Sequence, residues 1–193
     1  MMKTYTKDWN IHFTNNVTNV SDFSLSLEIG CFEGLTSNYI VDNLMSPKDI
    51  LICVDPLTDK YLNTDLTDND IELNETEYSF FEGQYDRFIS NVGEHIKSGK
   101  IILYRDLSIN VYHKLEKDFG KNFSFIYIDG DHRPESVYID AINCFYLCKK
   151  NGYILFDDFL WKDTRLGIDK FVEEKFDELK IVQKGEQLLI KKL

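Results

Sequence analysis

The chain has 193 residues, of which 43% are hydrophobic and 28% charged, enough for one substantial core with little room for a second, so a single domain over 1–193 is expected. A formal net charge of −11 excludes the basic face that neutralises phosphates, and with it nucleic acid as a partner. An anionic membrane surface is equally unsuited, and no stretch approaches the roughly 18 apolar residues of a membrane span.

The first twenty residues lack the apolar core of a signal peptide. The four cysteines (Cys31, Cys53, Cys144, Cys148) lie in apolar segments without the spacing of a disulfide framework. Both features predict a soluble cytoplasmic protein with buried thiols. Cys144 and Cys148 are four apart on a predicted helix, but nothing nearby completes a metal site.

Taken in chain order, the first apolar run is "LSLEIG", followed by helical spacing over 33–45, then "DILICVDP". Residues 55–77, rich in Asp, Asn and Thr, predict a long loop of the kind that serves function. A helix over 76–97, the run "KIILYRD", a helix over 108–118 and the run "FSFIYIDG" come next. Pro134 and Glu135 open a helix over 135–149, as residues at a first turn often do. "GYILFDD" is the fifth run; a helix near 164–176 precedes strands near 178–183 and 187–192 joined at "KGE". Short apolar runs bounded by turn residues read as buried strands, and their alternation with helices predicts a parallel sheet covered on both faces. The fold class is therefore α/β: a doubly wound, mostly parallel seven-stranded sheet ending in an antiparallel hairpin.

Ligands in such sheets bind beyond the carboxyl ends of the strands. Acids gather there: Glu28 on the first strand, Asp55 after the second, Asp106 after the third, Asp129 and Asp131 after the fourth, Asp157 and Asp158 after the fifth. One such acid would be read as a helix cap; five strand ends in succession are read as a site. "EIGCFEG" has the form E-x-G-x-x-x-G, in which Gly30 allows a tight turn against a ligand and Gly34 close helix packing, with Cys31 and Phe32 between them. It departs from the dinucleotide fingerprint G-x-G-x-x-G. Asp55, 25 residues after Gly30, is placed to accept ribose hydroxyls.

With these residues the chain resembles the class I S-adenosylmethionine-dependent methyltransferases, from "LEIGCFEG" through "ICVDP" and "IYIDGDH" to "NGYILFDDFLW". The resemblance implies a Rossmann-like fold. It implies a cofactor site formed by Glu28, Gly30, Cys31, Phe32 and Gly34, by Asp55 at the ribose, by Asp106, Leu107 and Ser108 at the adenine, and by Asp129. Within the class the likeness is to metal-dependent O-methyltransferases of catechols, caffeoyl esters and macrolide sugars. It implies Asp129, Asp157 and Asp158 as ligands of Mg²⁺ (or Mn²⁺ or Ca²⁺), His132 in the place of a catalytic lysine, and Trp161 in the acceptor wall. The Asp-Asp pair, in place of Asp-Asn, is closer to the sugar branch.

On this reading S-adenosylmethionine gives its methyl group to a hydroxyl of a small molecule or sugar, with a polyphenol as the next choice. The N-terminal segment 1–22 and the 57–75 loop are expected to cover the acceptor, and the related enzymes are often homodimers. Three alternatives stay open: a metal-independent methyltransferase of the same fold, a nicotinamide-dependent protein, and a non-catalytic nucleotide-binding scaffold. The direction of Asp131, to cofactor or solvent, is open too.

Overall fold

The computed structural model describes residues 17–58 and 82–193. Its elements in order are β1 (Leu25–Ile29), α1 (Leu35–Asn43), β2 (Ile50–Val54), α2 (Gln84–Lys97), β3 (Ile101–Tyr104), α3 (Ser108–Phe119), β4 (Phe123–Ile128), α4 (Pro134–Leu147), β5 (Cys148–Phe156), α5 (Lys162–Glu174), a 3₁₀ turn (Phe176–Glu178), β6 (Leu179–Lys184) and β7 (Leu188–Lys192). The seven strands form one sheet in the order β3-β2-β1-β4-β5-β7-β6. The first five run parallel, and β7 joins β5 and β6 antiparallel. Strand order reverses between β1 and β4, which puts the crevice of a doubly wound sheet above the exits of those two strands.

The apolar runs sort onto two faces by the period of two that a strand imposes. Leu27, Ile29, Ile52, Val54, Ile126, Ile128, Ile154 and Phe156 share a core with α3, α4 and α5. Leu51, Cys53, Phe125, Tyr127 and Leu155 face the other way, toward α1 and α2. Every residue of β4 is buried, as burial on both sides requires of a central parallel strand.

The predicted helix over 135–149 is two residues too long at its end. Backbone at Cys148 is already extended (φ −67°, ψ 132°) and opens β5. Cys144 and Cys148 therefore do not share a helix face, and all four cysteines are buried and free. The first described helix covers 35–43 rather than 33–45, because Glu33 and Gly34 still belong to the turn; Gly34 has φ 79°. The segment 1–16 and most of the 57–75 loop lie outside the described residues, as does the predicted start of the second helix. Among the described residues no helix is long and apolar enough to cross a membrane.

Candidate active site

The glycine turn leaves β1 where β4 also ends. A Cβ on Gly30, which has φ 81°, would stand 2.0 Å from the carbonyl oxygen of Asp129, so only glycine lets the two exits pass this closely. The main chain ties them together, Asp129 N–H donating to Ile29 O, and ties the turn to the end of β2, Gly30 N–H donating to Val54 O, each at 2.9 Å. A Cβ on Gly34 would sit 2.5 Å from Val92 Cγ1 of α2, the close helix packing expected of it.

Asp55 is 9% exposed and turned inward. Its Oδ2 accepts from Cys31 N–H and Phe32 N–H at 2.9 Å each, and its Oδ1 from Leu57 N–H at 2.8 Å. Burial raises its pKa, against these three bonds. Three of about four acceptor positions on the carboxylate are thus spent pinning the turn, which Phe32 completes in the left-handed region at φ 45°. Glu28 lies beneath, fully buried. Its Oε2 accepts from Ser37 Oγ at 2.6 Å and Cys53 Sγ at 3.4 Å, Oε1 has no partner among the described residues, and burial pushes its pKa up to about 7.

At the third strand end Asp106 is exposed and precedes the first turn of α3, its Oδ1 accepting from Leu107 N–H at 2.7 Å and Asn110 Nδ2 at 2.8 Å. Ser108 donates to Asp140 Oδ1 at 2.7 Å, as does the Tyr112 hydroxyl. Asp140, buried on α4, was not among the predicted site residues; it links α3 to the loop after β4, where a Cβ on Gly130 would lie 3.4 Å from its Oδ2.

The ends of β4 and β5 gather the charge. His132 Nε2 is 2.9 Å from Asp158 Oδ2 and 3.9 Å from Asp129 Oδ1, and one ligand atom from each of the three residues lies within 4.8 Å of the others. Asp158 reaches inward from a left-handed backbone (φ 49°), which Asp tolerates better than most residues. The Asp158 carboxylate raises the pKa of His132 despite partial burial. Desolvation, then the charges of Asp157 and Asp158, push Asp129 well above the usual carboxylate range.

The structure does not bring Asp157 into this cluster. Its Oδ2 accepts from the Tyr127 hydroxyl, and its Oδ1 from Gln187 Nε2 at 2.9 Å and Asp158 N–H at 3.0 Å. The third member of the cluster is His132. Trp161, 58% exposed, has its ring 5.0 Å from that of His132. Asp131 turns away to pair with Arg133. Behind the cluster a cavity of about 10 Å³ is lined by Asp129, His132, Asp157 and Thr164 among others, and the buried Thr164 hydroxyl has no partner among the described residues.

A sheet of this order, with a glycine turn crossing under an acidic cluster at its switch point, is the architecture of the class I methyltransferases. The chain belongs to the methyltransferase domain family, whose model matches residues 27–159. Among solved structures, an O-methyltransferase from Bacillus cereus in complex with SAH is 14% identical, with 99% of this chain and 94% of that chain covered and a TM-score of 0.61. TomG from Streptomyces achromogenes, an O-methyltransferase involved in tomaymycin synthesis and bound to SAM, is 11% identical over 100% and 99% of the two chains, at a TM-score of 0.61. A putative O-methyltransferase from Klebsiella pneumoniae is 13% identical, with 100% and 83% covered and a TM-score of 0.64. Identities this low show a shared fold. No curated protein matches the chain.

Proposed function

We propose that the chain is an S-adenosylmethionine-dependent O-methyltransferase, assisted by a divalent metal ion, acting on a hydroxyl of a small molecule or sugar. The convergence of Asp129, His132 and Asp158 beside the glycine turn carries this reading. The residues fit both groups. Gly30 lets the exits of β1 and β4 pass in direct contact, where a Cβ would strike the Asp129 carbonyl, so the glycine turn lies beside the acids, and two carboxylates give the hard oxygen donors that Mg²⁺ or Mn²⁺ takes. The unpartnered Thr164 hydroxyl in the adjoining cavity supports a polar occupant.

S-adenosylmethionine supplies a methyl group already activated on a sulfonium. A divalent ion lowers the pKa of a hydroxyl bound to it. The chain's own task is alignment and proton removal. Asp129 and Asp158 would hold the ion, and the turn at Gly30–Gly34 would carry the cofactor. Asp55 has one acceptor position left for a ribose hydroxyl, because its other bonds hold the turn. His132 is the proton acceptor. With Asp158 ionised, its contact with Nε2 favours the tautomer protonated there, which would leave Nδ1 as the basic nitrogen. Trp161 supports an acceptor with a flat apolar face.

The His132–Asp158 pair also favours a second reading, since it is a complete base without any metal. Calorimetric titration with S-adenosylhomocysteine, with and without Mg²⁺, tests the first reading. Binding of the cofactor product together with a separate Mg²⁺ heat is expected. Methyl transfer that persists undiminished in chelator would select the metal-free reading, and no binding of S-adenosylhomocysteine would reject both.

A further inference from the structure

We infer that Asp140 is a positioning residue for the adenine end of the cofactor: it accepts the hydrogen bond of the Ser108 hydroxyl, so that Ser108 turns lone pairs outward and reads the 6-amino group of the base. The inference rests on the cofactor reading above. Helical period puts Asp140 on the core face of α4, with the buried Val137, Ala141 and Cys144. An acid in that place, 4% exposed, costs stability that an apolar residue would not. Its Oδ1 accepts from two hydroxyls of α3, those of Ser108 and Tyr112, at 2.7 Å each. Its Oδ2 faces the loop after β4, where a Cβ on Gly130 would lie 3.4 Å away. Asp140 therefore joins the exits of β3 and β4, which have β2 and β1 between them in the sheet. The glycine turn and Asp55 follow those two inner strands, so the joined exits flank the place where the cofactor reading puts the ribose.

The two α3 hydroxyls differ in what lies beyond them. Tyr112 is 7% exposed and ends inside the core, with Cys144 Sγ 3.9 Å from its oxygen. Ser108, the first residue of α3, is half-buried. A serine hydroxyl has one hydrogen to give. With that hydrogen on Asp140, the remaining capacity of Ser108 is to accept, which suits the amino group of adenine and opposes the carbonyl of a 6-oxo purine.

Calorimetric titration of the full chain with S-adenosylhomocysteine and with S-inosylhomocysteine, its 6-oxo analogue, tests this. The wild type should prefer the adenosyl ligand by at least about tenfold. Asp140→Ala frees the Ser108 hydrogen to turn toward either base, and the preference should fall below about threefold. Asp140→Asn retains a carbonyl oxygen for Ser108 and should keep the wild-type preference. Tyr112→Phe removes the other bond to Asp140 and should leave the preference unchanged, whatever it does to the melting temperature. Ser108→Ala, at a half-buried position, should lower the preference as Asp140→Ala does, and it decides the matter if Asp140→Ala fails to fold. Equal weakening of both ligands in Asp140→Ala would make Asp140 a brace of the fold and overturn the inference. A wild type without preference, or a Ser108→Ala variant that keeps it, overturns the inference too, and in each case the cofactor reading stands. Absence of S-adenosylhomocysteine binding by the wild type overturns both.

Discussion

The two rims of the crevice solve opposite problems. On the β1–β2 rim, Asp55 and Glu28 are 9% and 0% exposed and nearly all their oxygens take hydrogen bonds from the turn or the core beneath it. On the β4–β5 rim, the side chains of Asp129, Asp158 and His132 keep 30%, 28% and 42% of their exposure, and the acids stand close enough to repel. The first rim has spent its charge on holding a shape, and such a rim can meet a ligand with its backbone. The second keeps its charge unspent, at a cost in stability, which is what a site that must take up a cation or a proton requires.

The sharpest way to break the first rim is Gly30→Ala. The new Cβ would lie 2.0 Å from a backbone oxygen, at a positive φ, and neither strand exit has a side chain that can rotate aside. A loss of at least about 4 kcal/mol is expected, a fall in melting temperature of roughly 10 °C for a domain of this size. A fall of only one or two degrees would mean that the turn can relocate and that the rim is not rigid. Glu28→Gln should act in the other direction. The folded pKa of Glu28 is about 7, above its ordinary value, so the folded state binds a proton that the unfolded state releases near pH 4.3. Glu28 is therefore harmless to stability below that value and destabilises increasingly as pH rises to about 7, with a plateau above. Glutamine, neutral throughout, should raise stability at pH 8 by about 3 kcal/mol and hardly at all at pH 4.5, as denaturant melts at the two values would reveal.

What could be read from the sequence follows the same division. The strands were legible because burial on both faces demands unbroken apolar runs, and the crevice because acids collect at the ends of those runs. Gly30 was legible as well, since a glycine after a buried strand has few other reasons to exist. Direction was not legible. Asp55 looks like a free ribose acceptor until the left-handed Phe32 turns two amide groups onto it. Asp157 and Asp158 are adjacent, and only the left-handed backbone of Asp158, with Tyr127 and Gln187 on Asp157, decides which of them meets His132. Tyr127 carried a signal in its place two residues before Asp129. Gln187, 30 residues beyond Asp157, carried none, because its role depends on a hairpin returning beside β5. Asp140 resembled any polar residue on a helix.

On the second rim the effects are smaller, because solvent reaches the groups. Asp129→Asn removes one charge from a crowded set. The folded pKa of Asp129 is raised by desolvation and by Asp157 and Asp158, so its ionisation weakens the fold as pH rises above the unfolded value near 3.9. The metal-free variant should be more stable than the wild type by about 1 kcal/mol at pH 8 and equal to it near pH 3.5, while losing its ion. A variant less stable at pH 8 would show that the acids of this rim are satisfied after all, and the contrast with the first rim would fail.

The smallest effect belongs to His132, and it separates the two proposed readings of the base. Its bond to Asp158 outweighs burial and raises its pKa. The protonated ring therefore stabilises the fold fully below the unfolded value near 6.5, and this contribution disappears as pH rises through the folded value. With 42% of the side chain exposed, solvent screens the pair and the stability change should be under about 1 kcal/mol. The titration itself is the better measurement. Followed by the proton resonances of the ring in metal-free protein, the pKa of His132 should fall toward 6.5 in Asp158→Asn. Added Mn²⁺ is too paramagnetic for this measurement, but Mg²⁺ should lower the wild-type value by drawing Asp158 toward the ion. A wild-type value unmoved by saturating Mg²⁺ would mean that Asp158 serves the imidazole alone, as in the metal-free base, and that the second rim stores its charge for a proton and not for a cation.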